Sequence, residues 1–215
     1  MVVMSADDTS SLVASGRLAF ADLVDELDEK QLSCSTLCDG WDVRTLTAHL
    51  LLPFEVTFAR FVLTSLRHRG NTDRTVDSVT RRIARRPMAD LVAELRSHAW
   101  TQVAPRRVGP EAQIVETAVH LRDVARPLEL TADVPLEHWR AVLAYLVSDR
   151  VALGVMPRGR VDGLTLEATD LGWRHGEGPG LVGTAEALGM ALTGRRVALH
   201  DLRGPGVEVL TERLP

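Results

Sequence analysis

Lysine is almost missing from this chain of 215 residues: Lys30 stands alone, Asn71 is the single asparagine, and Ile83 and Ile114 are the two isoleucines. Arg, Ala, Val, Gly and Leu fill their places, a bias that marks a GC-rich coding genome and carries no chemistry. Aromatic residues are scarce too, at 4%, and the four tryptophans (Trp41, Trp100, Trp139, Trp173) read first as packing residues. No apolar run is long enough to span a bilayer, which excludes a helical membrane anchor. The start, Met1-Val2-Val3-Met4-Ser5-Ala6-Asp7-Asp8, lacks the basic opening and apolar core of a signal peptide, so a cytoplasmic location is expected. The net charge of −4 argues against nucleic acid as the main partner. Two cysteines, Cys34 and Cys38, are spaced C-x3-C, unlike the C-x2-C of a thioredoxin motif or a zinc ribbon, and read as reduced thiols. There is no H-E-x-x-H and no G-x-S-x-G. The glycine-rich loop around Trp173-Arg174-His175 lacks the lysine and the strand–helix setting of a phosphate cradle.

What is present is a globular composition, 45% hydrophobic with a mean hydropathy of +0.01, in a chain long enough for one large or two small domains. Residues 10–30 carry Val13, Phe20, Leu23 and Leu27 at helical spacing, with an acidic outer face. Trp41-Asp42-Val43-Arg44-Thr45 opens a second helix, with Asp42 as its cap. Its apolar stripe runs Leu46, Leu50, Phe54, Phe58, Phe61, and Pro53 predicts a kink just past His49. Arg81, Arg82, Arg85 and Arg86 form a basic cluster, read as a solvated helix face. Met88 to Trp100 is helical again, and Gly109-Pro110 opens a helix that Arg126-Pro127 closes. This is the grammar of a helix bundle over residues 1–132. From 133 to 215 the pattern is smaller and mixed: a helix over Leu136–Val151, a strand over Leu164–Thr169, a helix over Thr184–Thr193 stopped by Gly194, and a short final strand over Val207–Leu210. The fold class expected is α+β.

Glu116 and His120, four apart on the helix after Pro110, leave the same face, with Asp123 close by. With His49 from another helix they make two imidazoles and one carboxylate, a pattern for catalytic zinc or another divalent metal with one position open. Asp123 is placed to accept from the free ring nitrogen of His120. By spacing alone the competing reading is a surface carboxylate–imidazole pair and an unrelated His49. The remaining histidines show no convergent spacing.

The segment Cys38-Asp39-Gly40-Trp41-Asp42-Val43-Arg44-Thr45-Leu46-Thr47-Ala48-His49-Leu50 resembles the Gly-Trp-[Ser/Thr]-Val-Arg-Asp-Leu-x-Ala-His-Leu signature of the mycothiol-dependent maleylpyruvate isomerase family, among the DinB-like metalloenzymes. Glu116-x3-His120-x2-Asp123 is similar to its second signature. The runs Ala168 to Trp173, Gly178-Pro179, Gly183 to Leu188 and Leu192-Thr193-Gly194-Arg195 resemble its small C-terminal domain. Asp42, Thr45 and Pro53 depart from the pattern, and none removes a ligand.

The resemblance implies a DinB-like four-helix bundle holding metal, zinc first, through His49, Glu116 and His120, followed by a small sterol-carrier-like α/β domain. It implies mycothiol, a low-molecular-weight thiol of actinobacteria, as cosubstrate, and a small electrophile as the other partner. The reaction expected is cis–trans isomerisation or S-transfer, with Arg195 as the catalytic arginine of the C-terminal domain and Arg174 in reserve as a cofactor-binding group. A monomer or homodimer is expected, without nucleic acid or membrane. A metal-dependent hydrolase and a non-catalytic metal-binding or regulatory protein on the same scaffold remain the alternatives.

Overall fold

The computed structural model describes residues 5–103 and 109–214; Met1 to Met4 of the N-terminal stretch read above lie outside them. Helix α1 (Ala6–Asp25) begins at a capping box, in which the Ser5 hydroxyl accepts from the Asp8 N–H at 3.1 Å and the Asp8 carboxylate from the Ser5 N–H at 3.3 Å. It buries Val13, Phe20 and Val24. Then come α2 (Glu29–Leu32), α3 (Val43–Leu50), α4 (Leu52–Glu55), α5 (Phe58–Arg67), α6 (Thr72–Ile83), α7 (Met88–Ser97) and α8 (Glu111–Ala125). Helix α1 packs on α7, and α3 packs on both α6 and α7. Leu46, Leu51, Leu91 and Leu95 are fully buried between them. The second part follows with α9 (Leu136–Leu146), strands β1 (Thr165–Ala168), β2 (Trp173–His175) and β3 (Gly180–Gly183), α10 (Ala185–Leu192), a 3-10 helix (Arg196–Asp201) and α11 (Gly206–Arg213). The chain is therefore α+β: mostly helical, with one small sheet near its C-terminal end.

By internal contacts the chain divides into two units, Met1–Val103 with His120–Ala132, and Ala104–Val119 with Asp133–Pro215. Helix α8 is a single element that runs through both. In the second unit the sheet order is β2-β1-β3, with β1 antiparallel to β2 and parallel to β3. Leu166 lies opposite both His175 and Leu181. Helix α10 is buried nearly all round, against α9, and begins at Thr184, whose hydroxyl accepts from the Ala187 N–H at 3.1 Å.

Two expectations are corrected. The helix read from Leu46 through Phe61 is three helices. It breaks at Leu51, and Pro53 sits in the first turn of the new helix α4, where its missing N–H costs nothing. A second break precedes α5, so the apolar stripe does not continue: Phe58 is 82% exposed, and Val62, Leu63 and Leu66 are exposed with it. The short final strand over Val207–Leu210 is helix α11 instead. The buried residues Gly206 and Leu210 stand four apart, about one helical turn, and Pro205 ahead of Gly206 supplies a helix opening.

Gly189 shows how closely α9 and α10 approach. A Cβ there would lie 2.7 Å from the Trp139 ring and 3.3 Å from Val142. A glycine-to-alanine change inside a helix ordinarily gains up to about 1 kcal/mol. At this position the clash prevails, and Gly189→Ala is expected to lose about 1–3 kcal/mol in a denaturant titration.

Candidate metal centre

The residues ahead of α3 are folded into a tight turn that carries two side chains of the site. The Trp41 N–H donates to the Cys38 carbonyl and the Thr36 N–H to the Trp41 carbonyl, both at 3.0 Å, and Ser35 and Asp42 form an antiparallel bridge. Gly40 makes the turn at φ +73°, a conformation that favours glycine. Asp42 then caps α3, its carboxylate accepting from the Thr45 N–H at 2.7 Å. The Leu37 N–H donates to the Asp123 carbonyl at 3.1 Å, which seats the turn on α8.

His49, half-buried in the last turn of α3, lies between two rings. The Trp41 ring is 4.9 Å away, tilted by 46°, and the His120 ring 5.3 Å away, edge-on at 87°. Trp41 is held in place because its Nε1–H donates to Asp77 at 2.9 Å. Asp77 also accepts from Arg81 at 2.9 and 3.0 Å. Burial pulls the Asp77 carboxyl upward, but the hydrogen bonds from Arg81 and Trp41 outweigh it and leave the group below the ordinary carboxylate range.

Helix α8 supplies the rest. His120 is 7% exposed and Asp123 is fully buried. Asp123 Oδ2 lies 2.8 Å from His120 Nδ1. A carboxylate only accepts, so this bond places the imidazole proton on Nδ1 and leaves the lone pair on Nε2. Glu116, one turn earlier on the same helix, is half-buried. His49, Glu116 and His120 each offer a ligand atom, and these atoms lie within 4.8 Å of one another. Two imidazoles and a carboxylate, one imidazole oriented by a buried carboxylate, fit a divalent ion with a position left open.

A second group of three, Cys38, His120 and Asp123, is equally compact, but its atoms are engaged with one another. The Cys38 thiol donates to Asp123 Oδ2 at 3.2 Å and lies 3.7 Å from His120 Nδ1. One carboxylate oxygen thus receives both the imidazole and the thiol. Cys38 and Trp41 escaped the sequence reading although both lie inside the signature segment. Their partners stand 82 and 85 residues away for Cys38 and 36 away for Trp41, so local spacing could not reveal them. Neither cysteine is in a disulfide.

The two arginines belong to the second unit. Arg174 is exposed on β2 opposite Glu167. Arg195 is half-buried just past α10, and its Nη1 donates to the Thr193 carbonyl at 2.7 Å. Of the other histidines, His98 stacks on Phe54 at 4.3 Å and His175 on Trp173 at 5.9 Å.

The sequence model described as the mycothiol maleylpyruvate isomerase N-terminal domain matches residues 13–172, well over half of the chain. No curated protein matches. A crystal structure of the mycothiol-dependent maleylpyruvate isomerase in a histidine-to-alanine mutant is similar over 95% of this chain and 96% of its own, with a TM-score of 0.61 at 14% identity. A second crystal structure of the mycothiol-dependent maleylpyruvate isomerase covers 91% of this chain and 92% of its own, with a TM-score of 0.58 at 15% identity. Those identities carry the fold, and the sequence match carries the kinship: the chain belongs to the mycothiol maleylpyruvate isomerase N-terminal domain family.

Proposed function

We propose that this protein is a metal-dependent enzyme that activates mycothiol for attack on a small electrophile, as a maleylpyruvate-type cis–trans isomerase or an S-transferase. Residues 1–132 would form its metal-binding part and 133–215 its small C-terminal domain. The observation that supports this most is the convergence of His49, Glu116 and His120 beside a buried Asp123, in a chain of this family. Zinc is the first candidate for the ion. When bound there, a divalent metal keeps net positive charge and lowers the pKa of a thiol at its open position.

The chain's own groups have definable tasks. Asp123 holds the His120 proton on Nδ1 and so keeps Nε2 basic. Glu116 offsets one of the two positive charges. Trp41 covers one side of His49. The mycothiol thiolate then adds to one carbon of the cis double bond, and the electron pair moves into the conjugated carbonyl. Rotation about the new single bond and loss of the same thiolate give the trans product and return the thiol. In S-transfer the thiolate displaces a leaving group and stays on the product. Arg195, with Arg174 in reserve, is the group proposed to bind a substrate carboxylate.

The test is a calorimetric titration of mycothiol into zinc-loaded protein, followed by assay with maleylpyruvate and a small panel of electrophiles. Stoichiometric zinc, saturable thiol binding and thiol-dependent turnover are expected. Pure protein without any stoichiometric divalent metal would end this reading. Metal retained without thiol binding would favour a metal-binding or regulatory role. Arg195→Ala is expected to keep its metal and lose at least about tenfold in turnover, the scale of one charge-assisted contact; unchanged kcat/KM would remove Arg195 from the reaction.

A further inference from the structure

Cys38, His120 and Asp123 belong to one unit of the chain and bring a thiol, an imidazole and a carboxylate to one point. Asp123 Oδ2 lies 2.8 Å from His120 Nδ1 and 3.2 Å from Cys38 Sγ, and the sulfur lies 3.7 Å from Nδ1. The donor atoms around one tetrahedral ion of zinc's size lie about 3.3–3.8 Å apart. The triangle is already close to a coordination triangle, and its narrowest side opens by roughly half an ångström to become one. We propose that these three side chains form a second cation site, selective for a thiophilic metal, and that filling it disables the group of His49, Glu116 and His120. The site stands on its own geometry; its effect on that first group rests on the function given above.

The donors are held in place. The Cys38 N–H donates to the Thr36 hydroxyl at 3.1 Å, and the Leu37 N–H to the Asp123 carbonyl at 3.1 Å. The backbone that carries the thiol is therefore fixed to helix α8 beside the other two donors, and little ordering remains when an ion binds. Asp123 and His120 are buried, and Cys38 is half-buried. Softness selects the ion. A thiolate favours polarisable cations such as copper(I), zinc or cadmium over magnesium or calcium, whereas the first group holds no sulfur.

The coupling follows from His120. A neutral imidazole has one proton and one lone pair. The Asp123 contact keeps the proton on Nδ1 and the lone pair on Nε2, where it serves the first group. An ion on Cys38 and Asp123 takes a lone pair at Nδ1 instead. The thiol proton then leaves to solvent, and the imidazole proton moves to Nε2 and blocks that ligand of the first group. The ring serves one group at a time, so each ion lowers the affinity for the other by the same factor.

The probe is cadmium, whose bond to a thiolate gives an ultraviolet charge-transfer band. Full-length, zinc-loaded protein is titrated with it, and released zinc is read with a chromogenic chelator. A cadmium–thiolate band and release of zinc are expected in wild-type protein and in Cys34→Ser, since the Cys34 thiol bonds elsewhere, to the Lys30 carbonyl at 3.3 Å. Cys38→Ser, which keeps a donor to Asp123, is expected to retain its zinc and helical content, to lose the band, and to bind cadmium at least about a hundredfold more weakly, the scale of one lost ligand. In Cys34→Ser, where Cys38 is the remaining thiol, cadmium should also slow alkylation of Cys38. No band in wild-type protein, a band that survives in Cys38→Ser, or one that is lost in Cys34→Ser overturns the site. Equal zinc release from wild-type protein and Cys38→Ser would show cadmium replacing zinc directly, and overturns the coupling. A band from Cys38 in protein that takes up no zinc keeps the second site and ends the zinc reading.

Discussion

His120→Ala is expected to cost zinc affinity on the order of a hundred- to a thousandfold, measured by competition with a chromogenic chelator. Structural zinc sites are worth about 10–16 kcal/mol over four ligands, which assigns roughly 3 kcal/mol to one ligand. Far-UV circular dichroism should change little, because His120 lies in the interior of α8 and alanine is the better helix former. Asp123→Asn separates ligation from orientation. The amide oxygen still accepts from Nδ1–H, but without a charge, so a smaller loss of about ten- to a hundredfold is expected. The order His120→Ala worse than Asp123→Asn worse than wild type is the signature of a ligand backed by its orienting carboxylate. If His120→Ala binds zinc as wild-type protein does, the cluster is a buried ion pair and no more.

The largest expected loss of stability is at Arg17, a residue the sequence pattern hides among the apolar positions of α1. Arg17 is 4% exposed. Its Nη1 donates to the carbonyls of His98, Ala99 and Thr101, at 2.8, 3.0 and 2.7 Å, just beyond the C-terminus of α7, and its guanidinium lies 4.9 Å above the Phe54 ring. Cationic hydrogen bonds to carbonyls at a helix C-terminus complete the last turn and favour the helix dipole. Arg17→Ala removes this donor and leaves a cavity, and is expected to cost about 3 kcal/mol. That corresponds to a fall in Tm of about 6–12 °C for a chain of this size. Burial lowers the Arg17 pKa to about 10, well below the ordinary guanidinium value. The unfolded chain therefore binds the proton more tightly than the folded one between those values, and stability rises with pH only there. The burial cost is fully present at neutral pH, and this group should leave a Tm profile between pH 6 and 8 flat. A loss below 1 kcal/mol in Arg17→Ala would show that water replaces the guanidinium at those carbonyls.

The helices with long periodic faces were legible in the sequence. Val13 and Phe20 of α1 are buried as their spacing predicts, whereas Leu23 is half-buried and Leu27 lies past the end of the helix. Legible too were the stops that depend on one residue, such as Asp42 at the start of α3 and Gly194 after α10. Failure came where a pattern had to be carried across a break. The stripe through Phe54, Phe58 and Phe61 assumed one axis, and the breaks at Leu51 and ahead of α5 re-aim everything beyond them. Four residues from Val207 to Leu210 are too few to tell a period of two from one of 3.6. The glycine-rich stretch hid β2 and β3, because its glycines serve close backbone approach: a Cβ on Gly176 or Gly178 would collide with the carbonyls of Leu164 or Gly163. In the candidate site, residue types and spacing offered His49, Glu116 and His120 as one reading of two, and the resemblance to the family singled them out. The side chains that brace them, Cys38 and Trp41, depend on contacts between distant segments.

Asp123 fastens the site twice, through its carboxylate to His120 and Cys38 and through its carbonyl to the Leu37 N–H. His49 and His120 are 71 residues apart in sequence, and closing a loop of that length costs a flexible chain about 4 kcal/mol. Here that cost is met by folding, through bonds that the protein makes with itself. An ion entering between the two imidazoles is spared it. On the proposed function, a metal held there would be a guest in a finished room and not a staple of the fold, and its affinity could be tuned by the ligands without the chain's stability moving in step.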